Sequence, residues 1–80
     1  MMDTADYQFT LTVPAGANFT AASLMHRYAA EHKADYSSYH GRAVLTIAGI
    51  PYGYDHWELT NCGPVDQVTV YLFNCASLIK

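Results

Sequence analysis

The sequence predicts a single α+β domain, with four strands in a mostly antiparallel sheet and one helix on one face of that sheet. Three observations predict this class. One segment near the start alternates between apolar and polar residues, one repeats apolar residues at helical spacing, and three later strand-like segments are separated by glycine and proline. The resulting order, β-α-β-β-β, contains too little helix for a doubly wound fold. Eighty residues suffice for one domain with a small core.

The domain is expected to span residues 7–80, after a loose end at residues 1–6 that carries no pattern. The segment YQFTLTV begins the domain and alternates without a break, which is typical of a half-buried strand. Its apolar side comprises Tyr7, Phe9, Leu11 and Val13. Pro14 and Gly16 are expected to end this strand, because proline cannot donate to a ladder and glycine turns readily.

The next segment changes period and predicts an amphipathic helix over residues 20–34. Its apolar stripe comprises Ala21, Leu24, Met25, Tyr28 and His32. Asn18 or Thr20 would cap the first turn, because either side chain accepts a hydrogen bond from an unpaired backbone amide. Arg27 and Glu31 lie one turn apart and are expected to form a surface ion pair.

Three strands are predicted after the helix. The segment SSYHGR is interpreted as a loop with a turn at Gly41, and AVLTIAGI as the second strand. Ile50–Gly53 has its proline and glycine where a type I turn prefers them. YDHWEL then predicts strand three, NCGP a turn, and DQVTVYLFNC strand four. Leu59 is expected to point inward, and the strands are expected to contribute to the core Phe9, Leu11, Leu45, Ile47, Trp57, Val68, Val70 and Leu72.

The charge balance disfavours direct binding to nucleic acid. Four Lys and Arg residues against seven Asp and Glu residues give a net charge of −3. The cations are scattered along the chain, whereas affinity for a phosphate backbone needs clustered cations. Charged residues make up only 14% of the chain, so its seven tyrosines must cover part of the surface. An acidic, aromatic surface favours a protein partner with a basic surface.

The sequence predicts neither membrane contact nor export. No apolar run is long enough to span a bilayer, and the first residues lack the cations and apolar core of a signal peptide. We therefore expect a cytoplasmic protein. In that reducing compartment Cys62 and Cys75 are expected to remain thiols, although their positions on either side of one strand would also allow a disulfide.

The sheet face without a helix is the first candidate surface. It is expected to display Gln8, Thr10, Thr12, Thr46, Tyr54, His56, Glu58, Thr69, Tyr71 and Phe73. Exposed aromatic side chains favour a protein contact, including self-association. Two segments also combine carboxylates with phenols, which suits arginines on a partner. The candidate contact residues are therefore Tyr52, Tyr54, Asp55, His56, Glu58, Tyr71, Phe73, Asp35, Tyr36 and Tyr39.

No catalytic residue, metal site or cofactor is assigned from the sequence. His56 and Glu58 are two positions apart on one strand and would reach one ion or one proton, but zinc needs at least three protein ligands. His26 and His32 lie about 120° apart on the helix and cannot share a metal. Ser37 and His40 lack the orienting acid of a nucleophilic site. A small metal-dependent or His/Glu-dependent hydrolase, or a nuclease-like toxin, remains an alternative hypothesis.

The whole chain, through its small size, its acidity and its tyrosine content, resembles the small proteins with which phages block bacterial defence, including anti-CRISPR inhibitors. This resemblance implies a stoichiometric, non-enzymatic inhibitor that occupies the basic surface of a nucleic-acid-handling host complex. It would place the protein in the cytoplasm of the host cell. A self-assembling structural subunit is the other alternative, with the uncovered sheet face as its interface.

Overall fold

The protein folds over residues 5–77 as one five-stranded sheet with one helix packed on a single face. The computed structural model describes these residues. The elements are β1 (Tyr7–Pro14), α1 (Ala21–Glu31), β2 (Ala34–Tyr39), β3 (Arg42–Ile47), β4 (Ile50–Cys62) and β5 (Val65–Asn74). The strand order is β1-β5-β4-β3-β2, and every neighbouring pair is antiparallel. The predicted α+β class and antiparallel sheet are confirmed, but the sheet has five strands rather than four.

The additional strand, β2, occupies residues for which we predicted the end of the helix and a loop. α1 ends at Glu31, three residues earlier than predicted, and Ala34–Tyr39 pair with β3. A two-residue turn at His40 and Gly41 joins the strands, with φ angles of 52° and 78°. Two positive φ angles define the type I′ turn, whose twist matches that of paired strands. The turn predicted at Gly41 is confirmed, whereas the loop predicted before it is wrong.

The turn between β3 and β4 lies three residues earlier than predicted, at 47–50 instead of 50–53. Ala48 and Gly49, with φ angles of 53° and 83°, form a second turn of the I′ kind. Ile50–Gly53, predicted as a type I turn, instead begin β4. The turn predicted for NCGP is confirmed, because Gly63 adopts a φ of 77° between the paired ends of β4 and β5.

α1 starts at a capping box, in which Thr20 Oγ1 accepts from Ser23 N–H at 3.0 Å and Ser23 Oγ accepts from Thr20 N–H at 3.1 Å. The predicted ion pair is present, with Arg27 Nε 3.4 Å from Glu31 Oε2. Arg27 also donates to the carbonyl oxygen of Thr12 at 3.0 Å, which ties the helix to β1. α1 contacts β2 most, then β3 and then β4. The helix therefore lies mainly against β2, β3 and β4, and its side chains also reach β1.

Aromatic rings close the edge of the core beside β1. Tyr28 stacks on Phe9 at 4.3 Å and on His32 at 4.1 Å, and its hydroxyl is hydrogen-bonded to that of Tyr7. His32 thus borders the core, as a member of the predicted stripe. Burial and the hydrogen bond with Tyr7 raise the pKa of Tyr28 to about 12, so this phenol stays protonated and neutral over the usual pH range.

The core lies between the sheet and α1. It consists of Phe9, Leu11, Val13, Leu24, Met25, Leu45, Val68, Val70 and Leu72. Ile47 packs against this core and is partly buried. Trp57 and Leu59 lie on the same face, yet they are 40% and 43% exposed, because α1 does not reach the far end of β4. Their predicted place in the core is wrong.

A β-bulge at Asp55 changes which residues of β4 share a face. Tyr54 and His56 are two positions apart in β4 but pair with consecutive residues of β5. The extra residue makes Tyr54 and Trp57 lie on the helix face, and His56 and Glu58 on the opposite face. Tyr54 is partly buried against the core, so the prediction that it points outward with His56 is wrong.

The two chain ends that the structure describes lie beside each other at one end of β5. Asp6 N–H donates to Leu72 O at 3.1 Å, and Asp6 Oδ2 accepts from Asn74 N–H at 2.7 Å. Asp6 is therefore fixed, while residues 1–4 of the predicted loose end lie outside the described residues. Within the described part, no helix has the length and apolar character needed to cross a bilayer.

The two thiols lie at opposite ends of the β4–β5 hairpin. Cys62 is exposed next to the last turn, whereas Cys75 is buried after the end of β5 and donates its backbone N–H to Pro51 O at 3.0 Å. A disulfide requires Cα atoms about 6 Å apart, and the length of the hairpin separates these residues far beyond that. Both cysteines are free thiols, as expected.

Asp66 is the one buried charged side chain among residues 5–77, with 6% of its surface exposed. Its Oδ1 accepts from Asn61 Nδ2 at 2.7 Å, and its Oδ2 accepts from Gly16 N–H at 3.2 Å. These bonds hold the turn after β1 against the end of the β4–β5 hairpin. Asp66 thus organises the segment that leads into α1.

We predict that Asp66→Ala lowers the free energy of unfolding by about 2–3 kcal/mol, because it leaves two polar groups without their acceptor. Urea denaturation of the variant and the wild type measures this difference. Asp35→Ala is the control, since that carboxylate is exposed and its loss should change stability by less than about 0.5 kcal/mol. Equal midpoints for Asp66→Ala and Asp35→Ala would contradict the prediction.

Candidate functional site

Four side chains of the β4–β5 hairpin form a cluster on the sheet face opposite α1. The acidic-aromatic cluster consists of Asp55, His56, Glu58 and Tyr71. The rings of His56 and Tyr71 stack with centroids 4.5 Å apart and planes inclined by only 11°. The pair forms because His56 of β4 lies directly across from Tyr71 of β5. The sequence prediction placed His56, Glu58 and Tyr71 on this face, and the structure brings them together.

Hydrogen bonds fix the two carboxylates around this stack. His56 Nδ1–H donates to Asp55 Oδ2 at 2.9 Å, because an ionised carboxylate only accepts. The Tyr71 hydroxyl donates to Glu58 Oε1 at 3.1 Å. Glu58 Oε2 also lies 4.0 Å from His56 Nε2. Both charges therefore sit at the rim of one flat, partly exposed stack of rings.

The two carboxylates approach opposite edges of the imidazole. Asp55 is next to Nδ1 and Glu58 is next to Nε2, so the two acids and a ring nitrogen do not converge on one point. Residues 5–77 contain no group of three or more His, Cys, Asp and Glu side chains arranged to hold a metal ion. With 4.0 Å between Nε2 and Oε2, His56 and Glu58 form a side-chain contact at the surface. They are not arranged as two ligands of one metal ion.

The hydrogen bond to Glu58, with smaller effects of burial and of the negative charge, raises the pKa of Tyr71 above its usual 10.0. The reason is that the phenol donates to the carboxylate, whereas a phenolate would be repelled by it. A raised folded-state pKa means that the hydrogen bond stabilises the fold below pH 10 and is lost as the pH rises through the folded-state pKa.

The remaining predicted contact residues are dispersed. Tyr52 and Tyr36 lie on the helix face and pack against the core, where Tyr52 is 5.2 Å from Tyr7 between ring centroids. Asp35 and Tyr39 belong to the outer face of β2, at the opposite edge of the sheet from β1. The structure therefore separates the two combinations of carboxylates and phenols that the sequence suggested. Tyr52, Tyr54 and Tyr36 are packing residues in the described fold.

Phe73 lies on the outer face but outside the acidic-aromatic cluster. Its ring lies over Gly53, where an added β-carbon would be only 2.9 Å from Cζ of the ring. Val44, across from Gly53 in β3, is buried although it points away from α1. A small apolar contact therefore forms on the face that has no helix.

Sequence reasoning missed an apolar patch on the helix side of the same hairpin. The apolar patch consists of Phe19, Trp57 and Leu59. Phe19 meets Trp57 edge to face at 5.0 Å between centroids, and the two β4 side chains are the more exposed. The predicted elements contained no signal for this patch, because the helix was expected over residues 20–34 and strand three only over YDHWEL, whereas α1 has 11 residues and β4 has 13.

The other polar candidates have structural surroundings. His26 meets Tyr36 edge to face at 5.3 Å, and His40 meets Tyr39 at 4.4 Å within the first hairpin turn. Ser37 belongs to β2 and is exposed. His26 belongs to α1, whereas Ser37 and His40 belong to the β2–β3 hairpin, and they are not among the described side chains that are joined by hydrogen bonds into one site.

No family model matches the chain, and no curated protein and no solved structure matches it at a significant level. The function must therefore be inferred from the side chains themselves. The fold is that of a small α+β domain, and the acidic-aromatic cluster is partly exposed on its surface.

We predict that Glu58→Gln lowers the pKa of Tyr71 towards its ordinary value, because the neutral amide no longer repels the phenolate. Following the Tyr71 side-chain carbon signal by NMR during an alkaline titration measures the shift. Asp55→Asn is the matched control, since Asp55 contacts His56 and not the phenol. Identical titration curves in the wild type and Glu58→Gln would show that the hydrogen bond does not form.

Proposed function

We propose that the protein is a non-enzymatic binding module that presents the acidic-aromatic cluster to a protein partner with a basic surface. The observation that supports this proposal most is the stacked pair of His56 and Tyr71, which has a carboxylate on each side. The side chains of Asp55, His56 and Glu58 are 57%, 51% and 67% exposed. Their mutual hydrogen bonds fix them before any partner arrives, which lowers the entropy lost on binding.

The chemistry of the cluster suits arginine. A guanidinium stacks on an aromatic face and donates two parallel hydrogen bonds to a carboxylate. The cluster offers both an aromatic face and carboxylates, because Glu58 and Asp55 border the same ring stack. The partner is therefore expected to insert arginine or lysine side chains next to His56 and Tyr71.

The charge of the hairpin supports a basic partner. Residues 54–72 contain no lysine or arginine, and two of their three acids, Asp55 and Glu58, are exposed, whereas Asp66 is buried. Opposite potentials accelerate encounter and exclude wrong partners. We propose that the partner is a nucleic-acid-handling complex of the host cell and that the protein acts as a stoichiometric, anti-CRISPR-like inhibitor. The acidic hairpin would then compete with the phosphate backbone for the same cations.

We predict that His56→Ala and Tyr71→Ala each weaken partner binding by about 1–3 kcal/mol, a loss of about tenfold or more in Kd. The partner is captured from a bacterial lysate with tagged wild-type protein, purified and titrated by calorimetry. Thr12→Ala is the matched control on the same sheet face, outside the cluster. Unchanged affinity in both cluster variants would exclude this surface.

Inhibition is measured separately from the protein contact. The purified partner should lose its affinity for nucleic acid when one equivalent of the protein is added, and added salt should weaken the complex because the contact is ionic. A ternary complex of partner, nucleic acid and this protein would contradict inhibition by competition, while leaving the contact itself measurable.

Self-assembly is a second candidate function, favoured by the exposed apolar patch. Trp57 and Leu59 are large apolar side chains on the outer part of the hairpin, and such patches mark contact surfaces. Two copies that meet through this patch would cover the part of β4 that α1 leaves open. The acidic-aromatic cluster lies on the other sheet face and would remain free.

For self-assembly we predict that the mass measured by light scattering rises with protein concentration in the wild type, and that Trp57→Ser abolishes the rise because it removes the largest apolar surface of the patch. Ile50→Ser is the control, since Ile50 is similarly exposed at 39% but begins β4 at its other end. A mass that stays at 8.9 kDa at every concentration would exclude this candidate.

A further inference from the structure

A cleft opens where the strand pairs of the sheet separate. β3 pairs with β4 only as far as Val44 and Gly53, whereas β3 continues to Arg42 alongside β2, and β4 continues to Cys62 alongside β5. Beyond Val44 and Gly53 the two ribbons therefore have no hydrogen bonds to each other. The gap between them forms a cleft of about 610 Å³.

The walls of this cleft are mostly apolar and come from three parts of the fold. Ala21 and Ala22 contribute the start of α1, Tyr39 and Val44 the β2–β3 hairpin, and Phe73 the end of β5. Small side chains at the start of α1 leave the space open. Clefts of roughly 300–1,000 Å³ with apolar walls and few polar groups are typical of sites for small molecules.

The charge in the cleft is opposite to that of the rest of the molecule. Arg42 lines it, and none of its lining residues is an aspartate or a glutamate. Among residues 5–77, Arg42 has no carboxylate within ion-pair distance, whereas Arg27 is paired with Glu31. α1 begins at the same cleft with no acid in its first turn, so the positive end of the helix dipole adds to the field.

We propose that this cleft binds a small organic anion that has a flat apolar ring system and one carboxylate or sulfonate group. The ring system lies between the aromatic side chains of Tyr39 and Phe73, and the anionic group pairs with the guanidinium of Arg42. This site is independent of the proposed protein contact, because no residue of the acidic-aromatic cluster lines the cleft.

The test uses two fluorescent probes of similar shape, anionic anilinonaphthalene sulfonate and neutral phenylnaphthylamine. The wild type should bind both probes, and naphthoate should displace the anionic probe at a lower concentration than neutral naphthol does. Arg42→Gln should weaken the anionic probe about tenfold, which corresponds to one lost charge-assisted hydrogen-bonded pair, and leave the neutral probe within about twofold. Lys33→Gln is the matched control, since that cation does not line the cleft.

Two further variants locate the probe. Ala22→Phe should fill the cleft and abolish binding of both probes, with its helix and sheet content checked by circular dichroism. Trp57→Ser should leave both affinities unchanged, because the apolar patch is outside the cleft. Equal loss of both probes in Arg42→Gln, or loss of binding in Trp57→Ser, would overturn the proposal. Failure of the proposed protein contact would leave these results unaffected.

Discussion

The difference in length between α1 and the β4–β5 hairpin determines which surfaces this molecule presents. An 11-residue helix covers about 16 Å, whereas the 13 residues of β4 extend over about 43 Å. β4 no longer pairs with β3 beyond Gly53, so its outer part carries exposed side chains on both faces of the sheet. One side carries the acidic-aromatic cluster and the other carries the apolar patch.

The sheet also separates two surfaces of opposite charge. The hairpin residues 54–72 carry acids without a cation, while the cleft between the two ribbons carries Arg42 without an acid. Both surfaces lie beyond the point where β4 stops pairing with β3. After Gly53, β4 pairs only with β5. An acidic small domain can therefore keep one local site for an anion, and its total charge of −3 does not describe either surface.

Hydrogen bonds and strand pairing hold the exposed surfaces of the hairpin in place. The His56–Tyr71 stack is held by its own carboxylates and by ladder hydrogen bonds on both strands. Asp66 fixes the far end of the hairpin to the turn after β1, next to the segment that carries Phe19. In the proposed contact, such preorganisation would concentrate affinity in few side chains, which is the pattern found at the centres of protein interfaces.

The sequence by itself determined the class of the fold, the first strand, the helix and its cap, and the outward direction of His56, Glu58 and Tyr71. Each depends on a local period or a local hydrogen bond. Only the tertiary structure decided the rest. The bulge at Asp55 reversed Tyr54, because one added residue changes the face of every neighbour on one side of it. β2 has serines at positions where an alternating strand would have apolar residues, so the sequence did not predict this strand. Only its pairing with β3 in the structure identifies it. The exposure of Trp57 depended on where α1 ends relative to β4, and no alternation of residues along a strand encodes the reach of a distant helix.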